Sequence, residues 1–185
     1  MAMYETCIKQ VPLRSIYYQM ITIISGTNRK DSMTLRVANL YYSSMSARAE
    51  NIHLLSLEDK RVWEKGAEMS NIEQQYLIPA EKFVFIMPEY NGSFPGILKA
   101  MIDHSDIRNC WWYKKAMLVG VADGRGGNLR GIEHMTNILH YMRMNVMYNK
   151  LPLSRINEEM DMEGKLLQPA TAKAIEEQID EFLKY

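Results

Sequence analysis

The sequence predicts one doubly wound α/β domain, with a five-stranded parallel sheet of strand order 2-1-3-4-5 and helices on both faces of the sheet. Strand-like and helix-like segments alternate along the chain, as they do in the crossover units of a parallel sheet. The strand-like runs are short and continuously apolar, which is typical of strands covered on both faces. No linker or internal repeat interrupts residues 20–185, so we expect them to form a single domain.

Each predicted strand is a short apolar run. The first run, Met20–Ser25, is the earliest strong structural signal in the chain. The five runs are residues 20–25, 51–55, 82–87, 116–121 and 145–148. Open sheets of this kind bind ligands beyond the carboxyl ends of their strands, so the loops after the first, third and fourth strands are the places to look for chemistry.

Five helices are predicted from apolar residues at helical spacing. The first helix shows the pattern i, i+4, i+7, i+8 at Met33, Val37, Leu40 and Tyr41. Pro95 stands where a proline commonly opens a helix. The remaining helices are predicted around residues 71–78, 97–102, 129–142 and 175–183.

Composition excludes several classes of protein. The 185 residues carry 22 Lys and Arg against 22 Asp and Glu, so no global field would draw the protein to nucleic acid or anionic lipid. Any phosphate group that the protein binds must therefore be held by side chains and amides next to it, and not by the overall charge of the protein. No window approaches the roughly 20 consecutive apolar residues that a membrane-spanning helix needs. Cys7 and Cys110 form no CxxC pair and no signal-like run is present, which predicts a reducing, cytoplasmic location.

Residues 1–19 show no clear periodicity and are predicted to be a leader, partly ordered or extra to the domain. The alternative is an additional edge strand or a dimer arm built on Ile16, Tyr17 and Tyr18.

The loop after the first strand, residues 25–34, is a candidate phosphate site. Hydroxyl groups of Thr27, Ser32 and Thr34 can donate hydrogen bonds, and the Arg29 guanidinium can pair with two phosphate oxygens. The loop runs into a helix, whose exposed amides also favour an anion. The alternative interpretation is that Asp31 or Ser32 only caps the helix and that Arg29 is solvated surface.

The other two loops favour a planar ligand. Residues 88–96 contain two prolines and two glycines, and Tyr90 and Phe94 offer flat apolar surface beside polar groups, unless the segment is only a well-made turn. Residues 123–131 are rich in glycine, which permits close backbone approach, and Arg125 and Arg130 could meet a second anionic ligand.

Two familiar nucleotide motifs are missing from the sequence. Only Gly26 follows the first strand, which excludes the dinucleotide fingerprint there, and Gly124-x-Gly126 lacks a third glycine because Leu stands at position 129. The one Gly-Lys pair, at position 164, is followed by Leu and not by Ser or Thr, so no Walker-type loop is present. A phosphate site without either motif favours a mononucleotide, and flavin mononucleotide (FMN) is the leading candidate in this architecture.

Together the three loops resemble the NADPH-dependent FMN reductase family, flavodoxin-like proteins that include quinone, chromate and azo-dye reductases. The motifs are Gly-Thr-x-Arg-x-x-Ser at 26–32, Pro-Glu-Tyr-Asn-Gly-Ser at 88–93 leading into Leu-Lys-Ala-x-x-Asp at 98–103, and Gly-Gly at 126–127. The resemblance covers residues 20–182. It implies a flavodoxin-like fold, a homodimer or homotetramer, and FMN as cofactor.

The resemblance also implies roles for particular residues. The FMN phosphate would be held by Thr27, Arg29, Ser32 and Thr34. The isoalloxazine ring would lie along Pro88, Glu89, Tyr90, Asn91, Gly92 and Ser93, and its pyrimidine side would face Asp123, Gly124, Gly126 and Gly127. NADPH or NADH would deliver hydride to flavin N5, and a quinone or another small oxidised acceptor would then take the electrons, without a catalytic residue from the protein.

An alternative function is a flavin-binding electron-relay or interaction protein that does not itself oxidise NAD(P)H.

The four histidines share no metal-ligand spacing, so no metal site is expected. Cys110 is expected to be an apolar filler. The aromatic cluster of Trp111, Trp112 and Tyr113 fits either packing at the start of the fourth strand or an exposed surface for a partner or acceptor.

Overall fold

The computed structural model describes residues 19–185 and confirms the predicted parallel sheet. Its strand order is β2-β1-β3-β4-β5, and a sixth strand also pairs with β4. The strands are β1 (Ile21–Ser25), β2 (Ile52–Ser56), β3 (Lys82–Pro88), β4 (Lys115–Val121), β5 (Asn145–Val146) and β6 (Leu151–Leu153). The predicted leader, apart from Gln19, and its alternative as an edge strand or dimer arm lie outside the described residues.

Helices cover both faces of this sheet. They are α1 (Met33–Ser46), α2 (Ala67–Ile72), α3 (Gly96–His104), α4 (Ile107–Cys110), α5 (Leu129–Tyr141), α6 (Ile156–Glu159) and α7 (Pro169–Lys184). A π-helical turn, Glu73–Leu77, continues α2, so the helix predicted around residues 71–78 begins earlier than expected. No helix between residues 19 and 185 is both long and apolar enough to cross a bilayer.

The fifth strand differs from its prediction. The ladder expected over residues 145–148 stops at Val146, although the Met147 amide still donates to the Ala116 carbonyl (2.8 Å). The chain then bends away, and the Asn149 carbonyl accepts a hydrogen bond from Gln178 of α7 (2.9 Å). Pairing with β4 resumes only in β6. The break lies where Asn149 bonds to α7 and Lys150 pairs with Glu133 of α5.

The apolar core lies on both faces of the sheet. One layer packs Trp111 against Phe83 and Phe85, with ring centroids 5.0 and 6.1 Å apart. The other layer joins β1 and β4 to α1 and α7. Trp111 is fully buried, whereas Tyr113 is 67% exposed, so packing at the start of β4 explains the first member of the aromatic cluster and not the last.

A buried lysine links the last helix to the sheet. Lys82, the first residue of β3, donates from Nζ to the carbonyls of Phe182 (3.1 Å) and Leu183 (3.2 Å) near the end of α7. The Phe182 carbonyl also accepts from the Tyr185 amide (3.2 Å), whereas the Leu183 carbonyl lies too near the end of α7 to have a partner within the helix. The ammonium group therefore satisfies the last turn and meets the negative end of the helix dipole. Burial, together with the nearby positive charge of Lys115, lowers the pKa of Lys82 to about 8.

Candidate functional site

The loops after β1, β3 and β4 meet at one edge of the sheet, as the topology predicts. They enclose a cleft of about 230 Å³. The cleft is lined by Arg29 and Thr34 of the first loop, Pro88 and Tyr90 of the second, and Asp123 of the third. Residues far apart in sequence therefore share one concave surface, which is the arrangement that a small-molecule site requires.

The first loop leaves β1 through a position that requires glycine. A Cβ atom on Gly26 would lie 2.9 Å from Leu98 Cδ2 and 3.0 Å from the Ile86 carbonyl oxygen. The Gly26 amide donates to that same carbonyl (2.9 Å). The absence of a side chain thus lets the loop turn directly over the end of β3 and into the cleft.

Ser32 caps α1, as one interpretation of the sequence predicted. Its Oγ accepts a hydrogen bond from the Leu35 amide (3.1 Å), which leaves the hydroxyl proton free to donate elsewhere. Among residues 19–185, the amides of Met33 and Thr34 in the first turn find no acceptor. These free donors and the positive end of the helix dipole give the loop an affinity for an anion.

Arg29 lies over the ring of Tyr90, with its Cζ atom 4.1 Å from the ring centroid. The Tyr90 hydroxyl shares a 2.6 Å hydrogen bond with Thr27 Oγ1, and the Arg29 amide donates to the same oxygen (3.2 Å). Thr27 is only 1% exposed and lies beneath the loop surface. Two contacts to Tyr90 therefore join the first loop to the second, and a third bond, from the Arg29 amide to Thr27, lies within the first loop.

The second loop is a tight hairpin. Tyr90 and Ser93 exchange backbone hydrogen bonds of 2.8 and 3.1 Å around Asn91 and Gly92, whose φ angles are +52° and +76°. Positive φ at both central residues is typical of a type I′ turn, which explains the Asn-Gly pair. The Ser93 hydroxyl also lies 2.9 Å from His134 Nδ1, so α5 supports the turn.

The third loop is fixed to the second by a residue that the sequence did not single out. Asn128 is fully buried, with φ +62°, and its side-chain amide donates to the carbonyls of Met87 (2.9 Å) and Pro88 (3.0 Å). Its Oδ1 atom accepts from the Gly131 amide (3.2 Å) and caps α5. An Asn before an apolar helical repeat is a recognised cap signal, and it could have drawn attention to this position.

Close packing beneath this loop also requires glycine. A Cβ atom on Gly120 would lie 2.1 Å from the Gly127 carbonyl oxygen, and one on Gly127 would lie 2.6 Å from Pro152 Cβ. Gly124 differs, because a Cβ there would have no atom within 4 Å. The loop is thus pressed against β4 and β6 on one side, and its backbone at Gly124 is open on the other.

The structure separates the predicted site residues into two sets. Those lining the cleft are Arg29, Ser32, Thr34, Pro88, Glu89, Tyr90 and Asp123. Those placed next to it, in the same loops, are Thr27, Asn91, Gly92, Ser93, Gly124, Gly126 and Gly127. Phe94 is instead buried in the core and offers no surface to the cleft.

Helix α6 adds residues that sequence reasoning missed. Ile156 and Asn157 line the cleft, and the Asn157 side-chain amide donates to Asp123 Oδ1 (2.8 Å). The four-residue helix carries too little periodicity to be recognised from sequence.

The groups that line and border the cleft suit the phosphate end and the ring end of FMN. Free amides, hydroxyl groups and one guanidinium match a phosphate dianion. The open backbone at Gly124 and the adjacent hairpin leave room for a flat ring with a polar edge. In the described part of the chain, no three His, Cys, Asp or Glu side chains are grouped so that they could hold a metal ion.

Cys110 lies away from this cleft, in the buried end of α4. Its Sγ is 3.7 Å from Glu73 Oε1. Burial raises the pKa of the Cys110 thiol to about 12, with a further contribution from the Glu73 carboxylate. A thiol of this kind is a poor nucleophile at neutral pH.

Comparison with known proteins gives a consistent result. Residues 20–158 match the protein family described as NADPH-dependent FMN reductase. A 2-hydroxy-1,4-benzoquinone reductase from a Burkholderia species is 25% identical over 174 residues, which cover 88% of this chain and 93% of that protein.

Two solved structures share the fold. The flavoenzyme FerB, an NAD(P)H:(acceptor) oxidoreductase from Paracoccus denitrificans, aligns with a TM-score of 0.72 and 21% identity over 90% of this chain and 96% of its own. The apo form of an NADH:FMN oxidoreductase, EMOB, aligns with a TM-score of 0.73 and 16% identity over 90% and 89%.

Proposed function

Because this chain belongs to the NADPH-dependent FMN reductase family, we propose that it oxidises NAD(P)H and reduces a quinone or another small oxidised acceptor. FMN, the cofactor of the family, supplies the chemistry when bound, since its ring accepts a hydride at N5 and passes the electrons on. The observation that carries the proposal is the meeting of an anion-binding loop, a tight hairpin and an open glycine backbone around one cleft.

The residues of the first loop hold the phosphate of FMN. Arg29 supplies a charged donor pair, and the free amides at the start of α1 supply aligned dipoles. Hydroxyl groups of Ser32 and Thr34, which line the cleft, complete the donor set, and the buried Thr27 supports the loop from beneath. The backbone of Pro88–Ser93 would lie along the ring, and Asp123, Gly124, Gly126 and Gly127 would approach its pyrimidine side.

The exposed surface beside the hairpin that carries Arg130 and His134 receives the anionic part of the nicotinamide donor. Arg130 and His134 are one helical turn apart on α5, and a Cβ on Gly92 would lie 3.8 Å from Arg130 Cδ. His134 is held by its contact with Ser93. Both side chains are exposed and are fixed next to the loop that lies along the ring, so a bound donor can reach them. Arg125 of the third loop is a second exposed cation.

We expect the chain to act as a homodimer or homotetramer. A groove of about 540 Å³ runs between α3 and α5, with apolar Ile102, Ile138 and Met142 in its wall. Tyr141 stands at its rim and is 82% exposed. A partner subunit would cover this surface. Sedimentation of the protein and of Tyr141→Glu tests the expectation, because a monomeric wild-type protein contradicts it.

The buried thiol is consistent with a cytoplasmic location. Cys110 is free, and it has no disulfide partner among the described residues. Free thiols persist most readily in a reducing compartment.

Flavin binding and anaerobic reduction test the function. The purified protein is expected to quench FMN fluorescence with micromolar or tighter affinity. Anaerobic NADPH or NADH is then expected to bleach the bound flavin, and a quinone is expected to restore its colour. Failure to bind FMN contradicts the proposal. Binding without bleaching by either nicotinamide supports the alternative, an electron-relay protein that does not oxidise NAD(P)H.

A further inference from the structure

Tyr90 belongs to the ring-side hairpin, yet its side chain reaches the phosphate loop. Its backbone is fixed by the paired hydrogen bonds with Ser93. Its hydroxyl is 2.6 Å from Thr27 Oγ1, and Thr27 is almost fully buried. Both ends of Tyr90 are therefore anchored, and the phenol ring forms a fixed platform between the two loops.

Arg29 rests on this platform. Its guanidinium lies 4.1 Å from the Tyr90 ring centroid, and its amide donates to the same Thr27 oxygen that Tyr90 engages. Within residues 19–185 no carboxylate lies in ion-pair range of Arg29, so the positive charge is not compensated. A charged side chain held at the start of α1 without an acidic partner is prepared to receive an anion.

We propose that Tyr90 is a positioning residue for Arg29 and that it determines selectivity for a flavin carrying a phosphate. This inference rests on the proposed function and adds a role that the motif does not assign. A free arginine side chain loses rotamer entropy when it binds a ligand. Contact with the Tyr90 ring removes much of that freedom before the ligand arrives, so affinity for the phosphate rises.

Because Tyr90 acts through Arg29, it should affect only the binding of the phosphate end of the flavin. Riboflavin has the same ring as FMN and lacks the phosphate, so it does not engage Arg29. Loss of the Tyr90 ring should therefore weaken FMN binding and leave riboflavin binding nearly unchanged. A role of Tyr90 as a surface for the isoalloxazine ring would instead affect the two flavins equally.

Dissociation constants for FMN and riboflavin, measured by fluorescence quenching, test the proposal. The proteins are wild type, Tyr90→Leu, Tyr90→Phe, Arg29→Ala and the double variant Tyr90→Leu/Arg29→Ala. We expect Tyr90→Leu to weaken FMN by about 3-fold to 30-fold, the range for loss of a cation–π contact. Tyr90→Phe keeps the ring and loses only the bond to Thr27, so its loss is smaller.

The double variant provides a second test. If Tyr90 acts through Arg29, the double variant binds FMN no more weakly than Arg29→Ala. Fully additive losses, or equal losses for FMN and riboflavin, overturn the proposal. Tyr148→Leu, at an 81% exposed tyrosine, is the matched control and should leave both affinities unchanged.

Failure of the proposed function and misfolding of a variant can both be distinguished from failure of this inference. A wild-type protein that binds neither flavin contradicts the proposed function itself. If Tyr90→Leu does not fold, as judged by circular dichroism, Tyr90→Phe and Arg29→Ala still give the FMN-to-riboflavin ratio. An unchanged ratio in both of these variants overturns the inference.

Discussion

The side-chain amide of Asn128 donates a hydrogen bond to the carbonyl of Pro88 (3.0 Å), which ties the loop after β4 to the end of β3. The same amide bonds the Met87 carbonyl, and Asn128 Oδ1 caps α5. One side chain therefore fixes the spacing of the two loops that are proposed to flank the flavin ring.

Asn128→Ala should destabilise the protein by about 2–4 kcal/mol, because buried backbone groups lose their partners and alanine disfavours the left-handed backbone. FMN affinity should fall as well. Urea unfolding measures the first effect and fluorescence quenching the second. Asn39→Ala, at an exposed position in α1, is the control and should change the free energy of unfolding by less than about 0.5 kcal/mol. Equal stability of the two variants would show that Asn128 does not secure the loops.

Gly124→Ala separates folding from flavin binding. A methyl group there meets no protein atom within 4 Å, so the free energy of unfolding should change by less than about 0.5 kcal/mol. FMN affinity should nevertheless fall, because the methyl group would occupy the space proposed for the pyrimidine side of the ring. Gly66→Ala, which is equally unhindered, serves as the control. Wild-type FMN affinity in Gly124→Ala would place the ring elsewhere.

Arg130→Ala should raise KM for the nicotinamide donor by about 10-fold, as expected for one charge-assisted contact in an exposed site. The dissociation constant of FMN should stay the same, because Arg130 lies outside the flavin cleft. Steady-state kinetics with NADPH and NADH measure the effect, and Arg48→Ala, whose side chain pairs with Asp180, is the control. A loss limited to NADPH assigns Arg130 to the 2′-phosphate. An unchanged KM for both donors excludes Arg130 from the donor site.

Cys110 should resist thiol reagents in the folded protein. Since burial raises its pKa to about 12, only about one thiol in ten thousand is ionised at pH 8. The Cys7→Ser variant leaves Cys110 as the single thiol in the chain. Absorbance assays with an aromatic disulfide reagent should show slow labelling of the native variant and complete labelling in denaturant. Rapid native labelling at pH 8 would contradict the buried, protonated thiol.

Lys82 should make stability depend on pH in the alkaline range. Its pKa is about 8 when folded and 10.5 ordinarily, so between these values the unfolded chain binds more protons than the folded chain. Stability therefore rises with pH in this window. From pH 7 to pH 9, wild type should gain about 1 kcal/mol relative to Lys82→Met in urea unfolding. Lys114, whose pKa is also lowered to about 8, is present in both proteins. The same pH dependence in both proteins would show that Lys82 is not responsible.

The central strands were predictable because they are buried along almost their whole length. All residues of β1 are buried, and β3 is buried from Lys82 to Met87, so each reads as an uninterrupted run. The length of the fifth strand was predicted wrongly because its pairing with β4 is split. Strand β6 was missed because it contains Pro152, a residue that is rare within strands. The short α4 and α6 have too few residues to show a period.

The site was predictable at the level of loops and not of individual contacts. Parallel topology alone brings the ends of β1, β3 and β4 together. The role of Asn128 depends on a left-handed backbone and on carbonyls 40 and 41 residues earlier in the chain, a relationship that local pattern does not encode. The direction of the Tyr90 side chain, towards Arg29, likewise follows from tertiary packing.

The split of the fifth strand has a consequence for association between chains. Beyond β4 the sheet ends in ladders of only two and three residues, separated by the bend at residues 147–150. An incoming strand from another molecule would find no continuous row of backbone donors and acceptors to extend. The irregular backbone of this border of the sheet thereby protects it against edge-to-edge aggregation.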